Sequence, residues 1–259
     1  MSRLRTEWNG HIARITLNRP AARNALSRDL VTEFREAVRE FSTDPGLRVL
    51  VIAGTRESSA FCAGADLVER TKLTPAERLE HLHGISALCE ELAAFPSPTI
   101  AAVHGYALGG GSELALACDI RVAERGATFG FPEVTVGLLP GAGGVTRLPA
   151  LIGPGRARDL MFTGRRVPCE EAEQMGLVDR VVALDDLDAT VQSMAATIAA
   201  NAPLAIRALK RALRTSANLP IEQATLAVLR ERIPLDETRD YLEGITAFAE
   251  KRKPVYSGE

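Results

Sequence analysis

The chain has 259 residues, 46% hydrophobic and 25% charged, with a formal net charge of −2. That is long enough to bury a substantial core, and the near-neutral balance excludes a global electrostatic pull toward nucleic acid or an anionic membrane. No apolar run reaches the roughly 18 residues needed to span a bilayer.

The N-terminal segment, Met1 to Glu7, lacks the apolar core of a signal peptide, so a cytoplasmic protein is expected. Ile12–Leu17 alternates and reads as a strand, ended by Asn18-Arg19-Pro20. Ser27 is placed to cap a helix running to about Phe41, with Leu30, Val31, Phe34, Val38 and Phe41 on its apolar face. After the stop at Asp44-Pro45-Gly46, Val49–Ala53 is a short, wholly apolar run, as in a strand buried on both faces. Thr74-Pro75 opens a second helix, which runs to about Ala94. Thr99–Val103 is another buried strand, and Gly109-Gly110-Gly111 leads into a helix from about Ser112 to Ala117. Ile120–Ala123 and Thr128–Phe131 are further strands. From Gly153 the pattern turns helical, over 154–163, 169–175, 186–200, 203–217, 221–231 and 236–250, with one strand near 178–183. These elements predict an α/β core over residues 1–190 and a helical region over 191–259.

Two glutamates, Glu113 and Glu133, stand beside glycine-rich turns, one after Gly109-Gly110-Gly111 and one before Gly137 to Gly144. Glycine lets backbone N–H groups approach a ligand without interference from a Cβ. At a helix start those amides carry partial positive charge and suit an oxyanion. A second small-residue loop, Phe61-Cys62-Ala63-Gly64-Ala65-Asp66-Leu67, follows the strand at 49–53 and could supply a second amide. Competing chemistries find no support. There is no GxxxxGK[ST] phosphate loop, no GxGxxG dinucleotide fingerprint and no GxSxG nucleophile elbow. Cys62, Cys89, Cys118 and Cys169 show no metal or disulfide spacing and read as reduced structural thiols. His81 and His83 diverge on a helix, so no shared metal is expected.

Taken together, five segments resemble the crotonase superfamily, the enoyl-CoA hydratase/isomerase family. They are Arg19–Leu26 (RPAARNAL), Phe61–Leu67 (FCAGADL), Pro98–Asp119 (PTIAAVHGYALGGGSELALACD), Pro132–Arg147 (PEVTVGLLPGAGGVTR) and Phe248–Arg252 (FAEKR). The resemblance implies an α/β fold, a spiral of ββα turns, followed by a helical trimerisation region, in a homo-trimer or homo-hexamer. It implies an acyl-CoA thioester as substrate, with no metal or separate cofactor, and a place in fatty-acid metabolism. The Ala65 and Gly110 amides would form the oxyanion hole, Glu113 and Glu133 would manage water and protons, and the Gly141 amide would help to position the water. Ala63, Asp66 and Leu67 would receive CoA, and Phe248 and Lys251 would touch it, often on a neighbouring subunit. Because both carboxylates are present, hydration or dehydration is expected over Δ3,Δ2-enoyl-CoA isomerisation, which uses mainly the position of Glu133. The reading from another class is a non-catalytic CoA- or RNA-binding scaffold.

Within the family, the texts Gly64–Arg70, Glu113–Val122 and Lys251–Glu259 most resemble 3-methylglutaconyl-CoA hydratases of leucine metabolism. Such a substrate ends in a carboxylate. Arg70, five residues after Ala65, is the candidate cation for it, with Lys72 in support. Some relatives are reported to bind RNA through a lysine-rich first helix. The matching helix, Ser27 to Glu40, has no lysine and mixes acids with its arginines, so no nucleic-acid partner is expected.

Overall fold

The computed structural model describes residues 2–259; Met1, at the head of the N-terminal segment read above, lies outside them. The chain opens with a hairpin, β1 (Leu4–Asn9) and β2 (Ile12–Leu17), then α1 (Arg28–Ser42). The Ser27 side chain accepts from the Leu30 N–H and caps that helix, whose buried residues are Leu30, Val31, Phe34 and Val38. A turn then repeats: a long strand, a short strand and a helix. The first turn is β3 (Val49–Gly54), β4 (Ala60–Cys62), α2 (Leu67–Arg70) and α3 (Pro75–Ala93). The second is β5 (Thr99–Val103), β6 (Tyr106–Leu108) and α4 (Gly110–Ala117). The third is β7 (Ile120–Glu124) and β8 (Thr128–Gly130), followed by α5 (Gly144–Ile152) and α6 (Pro154–Thr163).

The long strands build a six-stranded sheet, β1-β2-β3-β5-β7 with β10 (Arg180–Val182) at its edge, parallel beyond the first hairpin. The short strands build a four-stranded sheet, β4-β6-β8 with β9 (Arg166–Pro168) antiparallel at its edge. After β9 and β10, joined by α7 (Cys169–Gln174), come α8 (Leu187–Ala199), α9 (Pro203–Ser216), α10 (Ile221–Arg232) and α11 (Arg239–Ala249).

Strand β3 lacks alternation because both of its faces are covered. Leu50 and Ile52 enter the main core with Phe34, Leu88 and Phe129, whereas Val49, Val51 and Ala53 face Leu187, Val191 and Ala195 of α8. Helix α8 therefore crosses residue 190, where the sequence pattern places a boundary, and packs as the outer layer of the sheet. Beyond it, α9, α10 and the turn after α10 leave Leu213, Ile221, Leu226 and Ile233 exposed.

The sequence pattern misses some elements. The three-residue strands β4, β6 and β9 are too short to show a period. Helix α5 hides behind Gly143-Gly144 and contains Pro149. The final helix starts at Arg239, capped by Thr238, because Ile233–Glu237 forms a separate 3-10 turn. Arg35 and Arg39 of α1 both bond the same Glu91 carboxylate of α3, at 2.8 and 2.7 Å.

Candidate active site

The spiral brings the second strand of each turn to one edge, and each strand hands its chain to a loop there. The loop after β4 carries Ala65 and the start of α4, after β6, carries Gly110. The two sit side by side: a Cβ placed on Gly110 would lie 3.7 Å from the Ala65 nitrogen. Among the described residues neither N–H donates to a protein acceptor.

The closeness depends on Gly111. A Cβ there would stand 2.0 Å from the Cys62 carbonyl oxygen, so α4 reaches β4 only because the side chain is a hydrogen atom. From the other side Leu26 pins the loop. Its N–H donates to the Gly64 carbonyl at 2.8 Å, and its carbonyl accepts from the Asp66 N–H at 3.0 Å. The buried His81 ring bonds the same carbonyl at 2.8 Å. Asn24, in the left-handed region, binds the Ala60 and Phe61 carbonyls through its side-chain amide, at 2.8 and 3.2 Å. The segment Arg19–Leu26 is thus the frame on which the Ala65 loop is hung.

Glu113 is buried in the first turn of α4, 3% exposed. Its Oε1 accepts from the Ala142 and Gly144 N–H groups at 2.7 and 2.8 Å. Burial raises its pKa, and these two amides and the charge of Arg147 oppose the rise. Glu133 lies in the 3-10 turn Pro132–Val136 after β8, and its Oε2 is buried without a hydrogen-bond partner among the described residues. Burial, with the charge of Glu113 adding to it, pushes its carboxyl up to about 7. Gly109, at φ +52°, passes under this carboxyl, and a Cβ there would come 2.9 Å from Oε1. One carboxyl is thus held by two amides, while its neighbour is an acid poised near neutrality.

The remaining sequence candidates fall in three places. Ala63 and Leu67 flank Ala65, with the Ala63 N–H given to the Arg23 carbonyl at 3.1 Å and Leu67 49% exposed. The Asp66 carboxylate is turned inward; it accepts from the Glu69 N–H at 3.0 Å and pairs with Arg19 at 2.9 Å. Gly141 begins the Glu113-binding turn but is exposed, and the donors to Glu113 are its neighbours Ala142 and Gly144. Arg70 ends α2, half-buried, with its guanidinium 3.4 Å from the Arg78 carbonyl and no carboxylate partner among the described residues. Phe248 and Lys251 stand apart, on α11 and just after it, with Phe248 86% exposed. Sequence reasoning missed Leu26, Ala142, Gly144 and Arg147, although Gly143-Gly144 carries the same bare-backbone signal as Gly109-Gly110-Gly111.

A separate groove of about 650 Å³ runs between α1 and α3. It is a charged surface feature whose arginines are already matched, Arg28 with Glu80 at 2.7 Å and Arg35 with Glu91 at 2.8 Å. The converging amides and carboxyls, not cavity size, mark the candidate site.

Comparison with known proteins points the same way. The family model described as enoyl-CoA hydratase/isomerase matches residues 7–259. The protein YngF of Bacillus subtilis (strain 168) is 45% identical over 259 residues, 98% of this chain and 97% of that protein. The human protein named enoyl-CoA hydratase domain-containing protein 2, mitochondrial, is 44% identical, covering 96% of this chain and 86% of that one. The crystal structure of enoyl-CoA hydratase from Bacillus anthracis superposes with a TM-score of 0.97 at 38% identity, over 100% of both chains.

Proposed function

Because the chain belongs to the enoyl-CoA hydratase/isomerase family, we propose that it adds water to, or removes it from, the 2,3 double bond of a short or branched enoyl-CoA. The observation that carries this reading is the unequal pair of carboxyls beside the paired amides. In hydration, Glu113 accepts a proton from water as the water oxygen bonds to C3. The electron pair of the double bond moves onto the thioester oxygen, where the Ala65 and Gly110 N–H groups donate to the developing charge. Two such donors lower the barrier by several kcal/mol (about 3 for each). The enolate then takes the Glu133 proton at C2 and the carbonyl re-forms. The carboxyls supply both proton positions, so we assign the reaction no resident cofactor; the CoA thioester is the substrate. Mixing the protein with crotonyl-CoA and, separately, with 3-methylglutaconyl-CoA and following ultraviolet loss of the conjugated thioester tests the reading, and unchanged absorbance with both would sink it.

The poise of Glu133 sets a pH dependence. Hydration needs this carboxyl protonated, and it loses its proton as pH rises through about 7. The hydration rate is therefore expected to fall on the alkaline side of that value, in a pH profile of kcat/KM for crotonyl-CoA, which reports the free enzyme. A profile flat from pH 6 to 9 would contradict the assignment.

For the acyl group, the reading supported by Arg70 is a substrate ending in a carboxylate, such as 3-methylglutaconyl-CoA. The support is a half-buried guanidinium one short helix beyond Ala65 and unmatched by any acid among the described residues. Arg70→Met is expected to lower kcat/KM for 3-methylglutaconyl-CoA at least about tenfold more than for crotonyl-CoA, the scale of a lost charge-assisted pair. Equal losses in a two-substrate assay would remove Arg70 from the site. The exposed Leu213, Ile221, Leu226 and Ile233 on α9, α10 and the turn after it support assembly into a homo-trimer or homo-hexamer.

A further inference from the structure

Burial alone drives neighbouring carboxyls toward the acid form, yet hydration as proposed above needs one of them ionised. Four ionisable groups bear on Glu113. They are Glu133 from the turn after β8, the Cys89 thiol from α3, Arg147 from α5 and, bonded to Arg147 from α3, Glu90. Burial holds Cys89 as the neutral thiol. Arg147 is the cation of the group. One of its guanidinium nitrogens donates to the Ala142 carbonyl at 3.0 Å and another to the Glu90 carboxylate at 2.6 Å. The N–H of the same Ala142 donates to Glu113. Glu90, Arg147, Ala142 and Glu113 thus form one chain of contacts from the surface to the buried acid, and the Arg147 side chain is only 20% exposed along it.

We propose that Arg147 is a positioning residue that clamps the Gly141–Gly144 turn and keeps Glu113 as the carboxylate, so that the one proton shared by the pair sits on Glu133. The inference rests on the hydratase reading for its purpose, but its test does not need activity. Glutamate carboxyls labelled with carbon-13 are titrated by NMR in the free protein, the Glu113 signal being the one lost in Glu113→Gln. Arg147→Gln removes the charge and keeps a donor; it is expected to raise the Glu113 midpoint by about 0.5–1 unit. Arg147→Lys keeps the charge and is expected to stay near the parent. Glu90→Gln, at an exposed position, leaves Arg147 unopposed and is expected to move the midpoint down. An unmoved midpoint in folded Arg147→Gln, or equal shifts in the Lys and Gln variants, would overturn the proposal. Should Arg147→Gln fail to fold, the sign of the Glu90→Gln shift decides. A parent protein inert toward both crotonyl-CoA and 3-methylglutaconyl-CoA would end the hydratase reading, while the titration would still decide the role of Arg147.

Discussion

Replacing Glu113 by glutamine is expected to cut crotonyl-CoA hydration about 10³-fold, within the range that a positioned general base supplies. The variant is sterically quiet. Its amide oxygen can still accept from the Ala142 and Gly144 N–H groups, which hold Oε1 at 2.7 and 2.8 Å, so the turn keeps its place. What disappears is the lone pair that takes the proton from water. Steady-state kcat is the measurement, with circular dichroism to establish that the fold survives. An enzyme that only moves double bonds would lose little, because the position of Glu133 carries that reaction. Retained hydration by Glu113→Gln would falsify the water-activating role. Glu133→Gln is expected to cost a similar factor, and the double variant little more than either, since two groups that act on one proton circuit do not contribute additively.

The second large effect is expected from Gly111→Ala, a single methyl group outside the reacting centre. Its Cβ would meet the Cys62 carbonyl oxygen at 2.0 Å and the carbonyl carbon at 2.8 Å. Both are backbone atoms, so no side chain can swing aside, and α4 must retreat from β4. Gly110 precedes this residue directly and Ala65 lies three residues after Cys62, so the retreat separates the two amides. The expected result is a loss of about 10²–10³ in kcat, the value of an oxyanion donor. A stability cost of about 1–3 kcal/mol, typical of overpacking, should accompany it. Kinetics and thermal unfolding of the same sample would show both. A folded Gly111→Ala with parental kcat would mean that the approach of these two segments is not needed for the reaction.

The fold and the site were legible to different degrees, for physical reasons. Helices of three turns or more show themselves through caps and apolar spacing, as Ser27 and Thr74 do. The strands at 49–54 and 99–103 read as buried because α8 and the main core leave them no polar face. Of the second sheet only β8 was legible, since strands as short as β4, β6 and β9 cannot display a period. At the site, Glu113 and Glu133 stood out because each adjoins a glycine run. Leu26 and Arg147 did not, because they act through main-chain carbonyls: the loop at 63–66 for Leu26 and the turn at 141–144 for Arg147. Nothing in a residue's type announces such a contact, and only folding brings the partners together.

The burial of the Glu133 carboxyl has a thermodynamic consequence for the whole molecule. Its carboxyl holds a proton more tightly in the folded chain, at about 7, than the ordinary glutamate value of 4.5. The contribution of this group to folding is therefore complete in acid below 4.5 and is lost progressively as the solution is made more alkaline through about 7. A ligand that accepts a hydrogen bond from the protonated carboxyl favours the same folded, protonated form, so occupancy and resistance to melting are coupled.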